Sequence, residues 1–160
     1  MSAAAELCVP HVRNMQMEDA KEVAAIEQAS YDFPWTEGIF RDCLRVGYCC
    51  RVLCEGEAIL GYVVLASGAG EAHLLNLCVR AERRRQGLGM FLLEHVLEIA
   101  RRDRAQRIIL EVRPSNHAAR ELYERARFEQ IARRPRYYQS LTGREDALVL
   151  VLDVHARRPE

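Results

Sequence analysis

Apolar positions along the chain follow two periods, near two and near 3.6, and the switches between them mark the elements. Val9 to Met15 reads as a first strand, with Pro10 marking a strand start or an edge. From Glu18 to Ser30 the period is helical: Val23, Ile26 and then Ala29 or Ser30 recur on one face, and acids crowd the first turn. Phe33-Pro34-Trp35-Thr36 breaks that pattern, and Thr36 suits the N-cap of a second short helix reaching about Val46. Tyr48 to Cys54 and Ala58 to Ala66 flank Glu55-Gly56-Glu57 as a hairpin. A turn at Ser67-Gly68-Ala69-Gly70 leads into a strand that ends as Leu74-Leu75-Asn76-Leu77-Cys78-Val79.

The next helix is the most strongly patterned. Leu88, Phe91, Leu92, His95 or Val96, and Ile99 hold the i, i+3, i+4, i+7 spacing, and Arg101, Arg102 and Arg104 suit the negative end of its dipole. Arg107 to Val112 is then a strand. Strand, helix, strand in this order predicts a right-handed crossover with parallel strands, whose ligands bind beyond the carboxyl ends. Pro114-Ser115-Asn116 ends that strand and caps a helix to about Ala126. Glu129 to Tyr138 and Glu145 to Val154 form a closing hairpin around Ser140-Leu141-Thr142-Gly143-Arg144, and a polar tail from His155 is expected to fray.

At 160 residues the chain is expected to be one domain, spanning 1–160, of the α/β class. Acids and bases balance at 23 each, so no net field favours nucleic acid or a membrane. Met1 to Leu7 lacks the basic start and apolar run of a secretory signal, and no stretch is long and apolar enough to span a bilayer; a cytoplasmic protein is expected. The six cysteines lack Cys-x-x-Cys spacing and the five histidines are scattered, which predicts reduced thiols and no metal.

Candidate chemistry begins between the strand ending at Val79 and the helix starting at Leu88. Arg80-Ala81-Glu82-Arg83-Arg84-Arg85-Gln86-Gly87-Leu88-Gly89 joins glycines to a helix N-terminus. Glycine lets backbone N–H groups approach a ligand, and the first turn of a helix offers unpaired N–H groups at the positive end of its dipole. This is an anion site suited to a phosphate or pyrophosphate, with Arg80, Arg83, Arg84 and Arg85 adding mobile charge beside it. A dinucleotide fingerprint fits poorly. Leu92 stands where its third glycine belongs, and Gly87 follows Val79 by eight positions instead of directly.

Glu111 is the first candidate for proton chemistry, a carboxylate in a strand that is otherwise apolar from Ile108 to Val112. A charge there is costly unless it is used or paired, and burial would suit it to act as a base near neutral pH. The alternative is a glutamate on a solvated face. Tyr123 shares a helix face with Ala119, Leu122 and Ala126, and is either a core aromatic or a proton donor. Asn116 is either a helix cap or a ligand contact. Cys78 invites a covalent route, but its apolar neighbours favour an inert thiol. Phe33 and Trp35 form either a plug between helices or one wall of a substrate mouth.

The string Arg84-x-x-Gly87-x-Gly89 between a buried strand and an amphipathic helix resembles the acyl-CoA loop of the GCN5-related N-acetyltransferases, the GNAT superfamily. Leu110-Glu111-Val112-Arg113-Pro114-Ser115-Asn116, Leu122-Tyr123-Glu124 and Phe128 look like its RimI branch. So do Phe33-Pro34-Trp35-Thr36, Tyr137-Tyr138 and Gly143-Arg144-Glu145-Asp146-Ala147. The resemblance implies the GNAT fold: a mixed, mostly antiparallel seven-stranded sheet with a central parallel pair and about four helices. It implies acetyl-CoA as cosubstrate, held by Leu77, Cys78 and Val79, by Arg85, Gln86, Gly87, Leu88, Gly89 and Met90, and by Asn116. It implies Glu111 as proton acceptor and Tyr123 as proton donor. The acceptor implied is the N-terminal alanine of small-subunit ribosomal protein number eighteen, attacking directly in a ternary complex. Phe33 and Trp35 with Tyr137 and Tyr138 are expected to grip the peptide. A monomer or weak dimer is expected. The alternatives are an acetyltransferase with a broader range of N-terminal or small-amine acceptors and a non-catalytic acyl-CoA-binding module. Two departures stand out: Pro114 replaces a small residue of the branch, and Arg133-Arg134 precede the tyrosines.

Overall fold

The computed structural model describes residues 9–155; the segment around Met1 to Leu7 and the tail 156–160 lie outside them. Seven strands form one sheet in the order β1-β2-β3-β4-β5-β7-β6. They are β1 (His11–Asn14), β2 (Cys49–Glu55), β3 (Ala58–Gly68), β4 (Glu71–Val79), β5 (Arg107–Val112), β6 (Glu129–Ser140) and β7 (Gly143–Asp153). The described residues also form four α-helices: α1 (Ala20–Ser30), α2 (Glu37–Arg45), α3 (Leu88–Arg102) and α4 (His117–Arg125). β4 and β5 run parallel, joined through α3, and the other pairings along β1–β2–β3 and β5–β7–β6 are antiparallel. This is the GNAT fold that the resemblance implied. Among the described residues no helix is long and apolar enough to cross a membrane.

Contacts divide the chain into two compact units, residues 1–65 with 76–95, and residues 66–75 with 96–160. In the first, the Thr36 hydroxyl accepts from the Ile39 N–H at 3.2 Å, which starts α2 where the sequence predicts. Phe40 of α2 is fully buried, its ring 5.3 Å from Trp35 on one side and 5.3 Å from Tyr62 on the other. Burying such an aromatic stabilises by about 1.5–3 kcal/mol, and it fixes the segment 33–36 against β3. Helix α1 starts two residues later than the sequence pattern suggests, at Ala20 instead of Glu18, because Met17–Asp19 is a 3-10 turn held by Asp19. That carboxylate also takes two bonds from Arg13, at 2.7 and 2.9 Å.

In the second unit, β5 alternates cleanly. Ile108, Leu110 and Val112 are buried, while Ile109 and Glu111 share the opposite, half-buried face. α3 differs from its expected stripe. Leu92, Leu93, Val96, Leu97, Ile99 and Ala100 are buried, but Phe91 is exposed, since the stripe runs one position to the side of it. The five described cysteines are unbridged, and burial pushes the Cys50 thiol up to about 12. It pushes Cys43 and Cys54 up as well, which leaves all three as unreactive thiols. Among the described residues, no three or more His, Cys, Asp or Glu side chains gather as a metal site.

Candidate active site

The loop before α3 is tied down by its own arginine side chains. Arg83 grips Glu55 with both guanidinium nitrogens, at 3.1 and 3.0 Å, and Gln86 with its Nε at 2.9 Å. Arg84 donates to the Val79 carbonyl at 3.0 Å and to the Ser30 hydroxyl at 3.2 Å. Arg80 donates to the Ile59 carbonyl and pairs with Glu22. Three of the four arginines expected to supply free charge are therefore anchors that set the loop's course. Arg85 sits at φ +61° and Gly87 at φ +78°, both in the left-handed region. A side chain rarely adopts this backbone, so Arg85 marks a loop whose shape is fixed by something other than local preference. Left-handed residues in a turn can direct backbone N–H groups toward one side. A Cβ at Gly87 would meet no atom within 4 Å, so the glycine is there for its backbone angle, with open space around it. The first N–H groups of α3, from Leu88 to Met90, follow at once; the first α-helical bond there runs from Phe91 back to Gly87. Leu88 is buried, while Arg85, Gln86 and Gly87 are exposed and Gly89 and Met90 half-buried.

β4 ends beside a glycine for a reason. A Cβ on Gly61 of β3 would stand 2.5 Å from the Cys78 carbonyl oxygen. Only glycine lets Leu77-Cys78-Val79 take this path. The Cys78 thiol is buried against the Ser30 hydroxyl, which agrees with an inert role.

Sequence reasoning missed Glu27. It is 2% exposed and is the one buried charged residue among those described. Its Oε1 accepts from the Tyr62 phenol and from the Asn76 amide, both at 2.8 Å, and its Oε2 accepts from the Trp35 backbone N–H at 3.1 Å. Burial pushes the Tyr62 phenol far up, so it remains a donor. One carboxylate thus ties α1 to the aromatic segment, to β3 and to β4. The signal was present: Glu27 lies on the stripe of Ala20, Val23, Ala24 and Ile26, where an acid is out of place.

In the second unit, Glu111 has its side chain 10% exposed. Its Oε2 lies 2.6 Å from Nε2 of His73 on β4, and its Oε1 lies 3.8 Å from Arg134 on β6. The charge is paired, and neither partner was foreseen. Tyr138 is close enough for Glu111's charge to act on it; burial, then that charge, push its phenol up. The Arg113 guanidinium stacks 4.3 Å over the Tyr138 ring, and Tyr137 meets Tyr138 edge-on at 4.8 Å. Tyr123 is buried, edge-on to Phe128 at 5.4 Å. Asn116 is the N-cap of α4, its side-chain oxygen accepting from Ala119 at 3.2 Å. Phe33 and Trp35 belong to the first unit, where Phe33 is exposed and Trp35 half-buried against Phe40.

The motif Gly143-Arg144-Glu145-Asp146 acquires a physical meaning. The register between β6 and β7 slips between Arg134 and Tyr138, a bulge that contains Pro135 and the left-handed Arg136. Asp146 holds it by accepting from the Arg136 N–H at 2.9 Å and from Arg133 at 2.6 Å, while Arg144 donates to the Arg136 and Tyr137 carbonyls. Glu145 accepts from the Ser115 N–H and hydroxyl and from Arg113, and so fixes the turn after β5. The motif latches two segments that carry Tyr137, Tyr138 and Arg113 alongside Glu111.

The sequence pattern of the Acetyltransferase (GNAT) family matches residues 10–128. The [Ribosomal protein bS18]-alanine N-acetyltransferase of Escherichia coli K12 is 32% identical over 143 residues, 89% of this chain and 97% of that protein. A putative enzyme of the same name from Bacillus subtilis is 32% identical, over 90% of this chain and 95% of its own. The crystal structure of the Escherichia coli ribosomal-protein-S18-alanine N-acetyltransferase superposes with a TM-score of 0.86 at 31% identity, covering 94% of this chain and 97% of that one. The family match over residues 10–128 and this degree of likeness over nearly the whole chain agree: the chain belongs to the GNAT family of acetyltransferases.

Proposed function

We propose that this enzyme acetylates the N-terminal alanine of small-subunit ribosomal protein bS18, using acetyl-CoA, with the whole chain acting as one acetyltransferase domain. The observation that carries the chemistry is Glu111: a carboxylate on the half-buried face of β5, partnered at one oxygen by a histidine and near an arginine at the other. The similarity to bS18-modifying enzymes over nearly the whole chain supports the choice of acceptor. A cytoplasmic enzyme, as monomer or weak dimer, goes with that substrate.

The residues present fit acetyl-CoA. The left-handed Arg85 and Gly87 and the first N–H groups of α3 suit its pyrophosphate, so Arg85, Gln86, Gly87, Leu88, Gly89 and Met90 are proposed to hold it. Leu77, Cys78 and Val79 are proposed to pair with its pantetheine arm, and Asn116 to donate its side-chain N–H to the same arm. When bound, acetyl-CoA supplies an activated acetyl thioester.

The remaining work falls to side chains. An α-amine has a pKa of about 7.7–8.0, against about 10.4 for lysine, so near neutrality only the terminal amine is appreciably uncharged. Glu111 takes one proton from the attacking amine, directly or through water. A backbone N–H near Val79 steadies the developing oxyanion. Tyr123 gives a proton to the departing thiolate. Phe33, Trp35, Tyr137 and Tyr138 are proposed to contact the first residues of the peptide.

The test is incubation with acetyl-CoA and peptides differing in their first residue, read by mass spectrometry. Acetylation of the α-amine of the bS18 sequence, fastest with alanine first, is expected. Equal rates for alanine and bulky first residues would leave a broad acetyltransferase instead. Acetyl-CoA binding with no turnover on any amine would leave a binding module.

A further inference from the structure

Resting on the acetyltransferase reading above, each turnover leaves a proton on Glu111 that must reach solvent before the next. The Glu111 side chain is only 10% exposed, so its neighbours decide the route. Arg134, 3.8 Å from Oε1, is a permanent cation and cannot accept a proton. Tyr138 has its phenol pushed up by burial and by the Glu111 charge, so it holds its own proton. Glu71, on the same strand as His73, is engaged with Arg107 at 2.6 Å. His73 remains: its Nε2 is 2.6 Å from Glu111 Oε2, and its side chain is 38% exposed. Its Nε2 meets the carboxylate while more than a third of its side chain is open to solvent, and a histidine is the side chain that exchanges protons near neutral pH.

We infer that His73 is the proton exit of the active site, a positioning and relay residue that acts through Glu111. Glu111 as carboxylate takes the proton of the attacking amine and becomes a carboxylic acid. The neutral imidazole, in the tautomer with Nε2 unprotonated, accepts that proton and restores the carboxylate. The imidazolium then gives one ring proton to water and returns to neutral. Tyr123, left as a phenolate after protonating the thiolate, takes a proton back from water, so one proton leaves through His73, one returns to Tyr123, and no electrons move. The same contact holds the Glu111 carboxylate in one orientation between transfers.

The test uses the full chain with His73→Gln, which keeps a hydrogen-bonding side chain but cannot carry a proton. Turnover is measured against pH at low buffer concentration, with and without added imidazole, beside wild type and Glu111→Gln. For His73→Gln, kcat falls on the order of tenfold, less than for loss of the base itself, while KM for acetyl-CoA is unchanged. Added imidazole restores kcat in His73→Gln and does nothing for Glu111→Gln. Wild-type kcat and pH profile in His73→Gln would overturn the relay alone, as would a loss that imidazole fails to restore. Absence of wild-type turnover on every N-terminal peptide would overturn the relay and the acetyltransferase reading together.

Discussion

Two glutamates, one in each compact unit, are largely enclosed by protein but meet different kinds of neighbour. Glu27 is the more buried, and each of its oxygens meets only groups that donate: a phenol, a side-chain amide and a backbone N–H. None of these takes a proton from it, so the carboxylate is a fixed post. Glu111 is slightly more open, and one of its partners is the imidazole of His73, a kind of group that can accept as well as donate a proton. Burial alone would choose Glu27 as the base. The neighbours favour Glu111 as the proposed base, since an imidazole, unlike the donors around Glu27, can accept a proton.

The comparison can be broken most sharply by exchanging the consequences of the two residues. Glu111→Gln is expected to lower kcat by roughly 10²–10⁴-fold, the range of a positioned base, with a melting curve close to wild type. Glu27→Ala is expected to do the reverse in kind. It strands one buried and two part-buried donors, at up to about 1–3 kcal/mol each, and is expected to cost several kcal/mol, read by urea unfolding. A stable Glu27→Ala protein with lost turnover would erase the distinction.

How much of this was legible beforehand depends on range. Thr36, Asn116 and the existence of α3 depend on a few neighbouring residues, so the caps and the helix could be read from spacing, though the buried stripe of α3 was placed one position off at Phe91. Glu111 stood out because an acid in an apolar strand is conspicuous. Its partners could not be read, since His73 lies 38 positions away and reaches it only through the parallel register of β4 and β5. The roles of Arg83 and Arg84 were misread for the same reason: a run of arginines looks solvated until Glu55 and the Val79 carbonyl are brought beside it. Glu27 was overlooked although its helical stripe betrayed it.

Two smaller perturbations refine the contrast within each unit. Gly61→Ala sets a Cβ 2.5 Å from the Cys78 carbonyl, so the end of β4 must move. A cost of about 1–3 kcal/mol and weaker acetyl-CoA binding are expected, measured by thermal melting and calorimetric titration. An unchanged affinity would separate β4 from the cofactor. In the second unit, the bonds from the Arg136 backbone and then Arg133 hold the Asp146 carboxyl below its usual range. A group with a lowered folded pKa stabilises fully above its unfolded value, near 3.9, and loses that contribution as pH falls below it. The β6 bulge is therefore expected to loosen only below about pH 4, and Asp146→Asn to remove that acid sensitivity while raising KM for peptide. The pH dependence of unfolding in the two proteins measures the first effect, and peptide kinetics the second.

The most direct measurement is acetylation of an alanine-first bS18 peptide by wild type and by Glu111→Gln of matched thermal stability. The account expects acetyl on the α-amine with the wild type and almost none with the variant. Equal acetylation by both would contradict it.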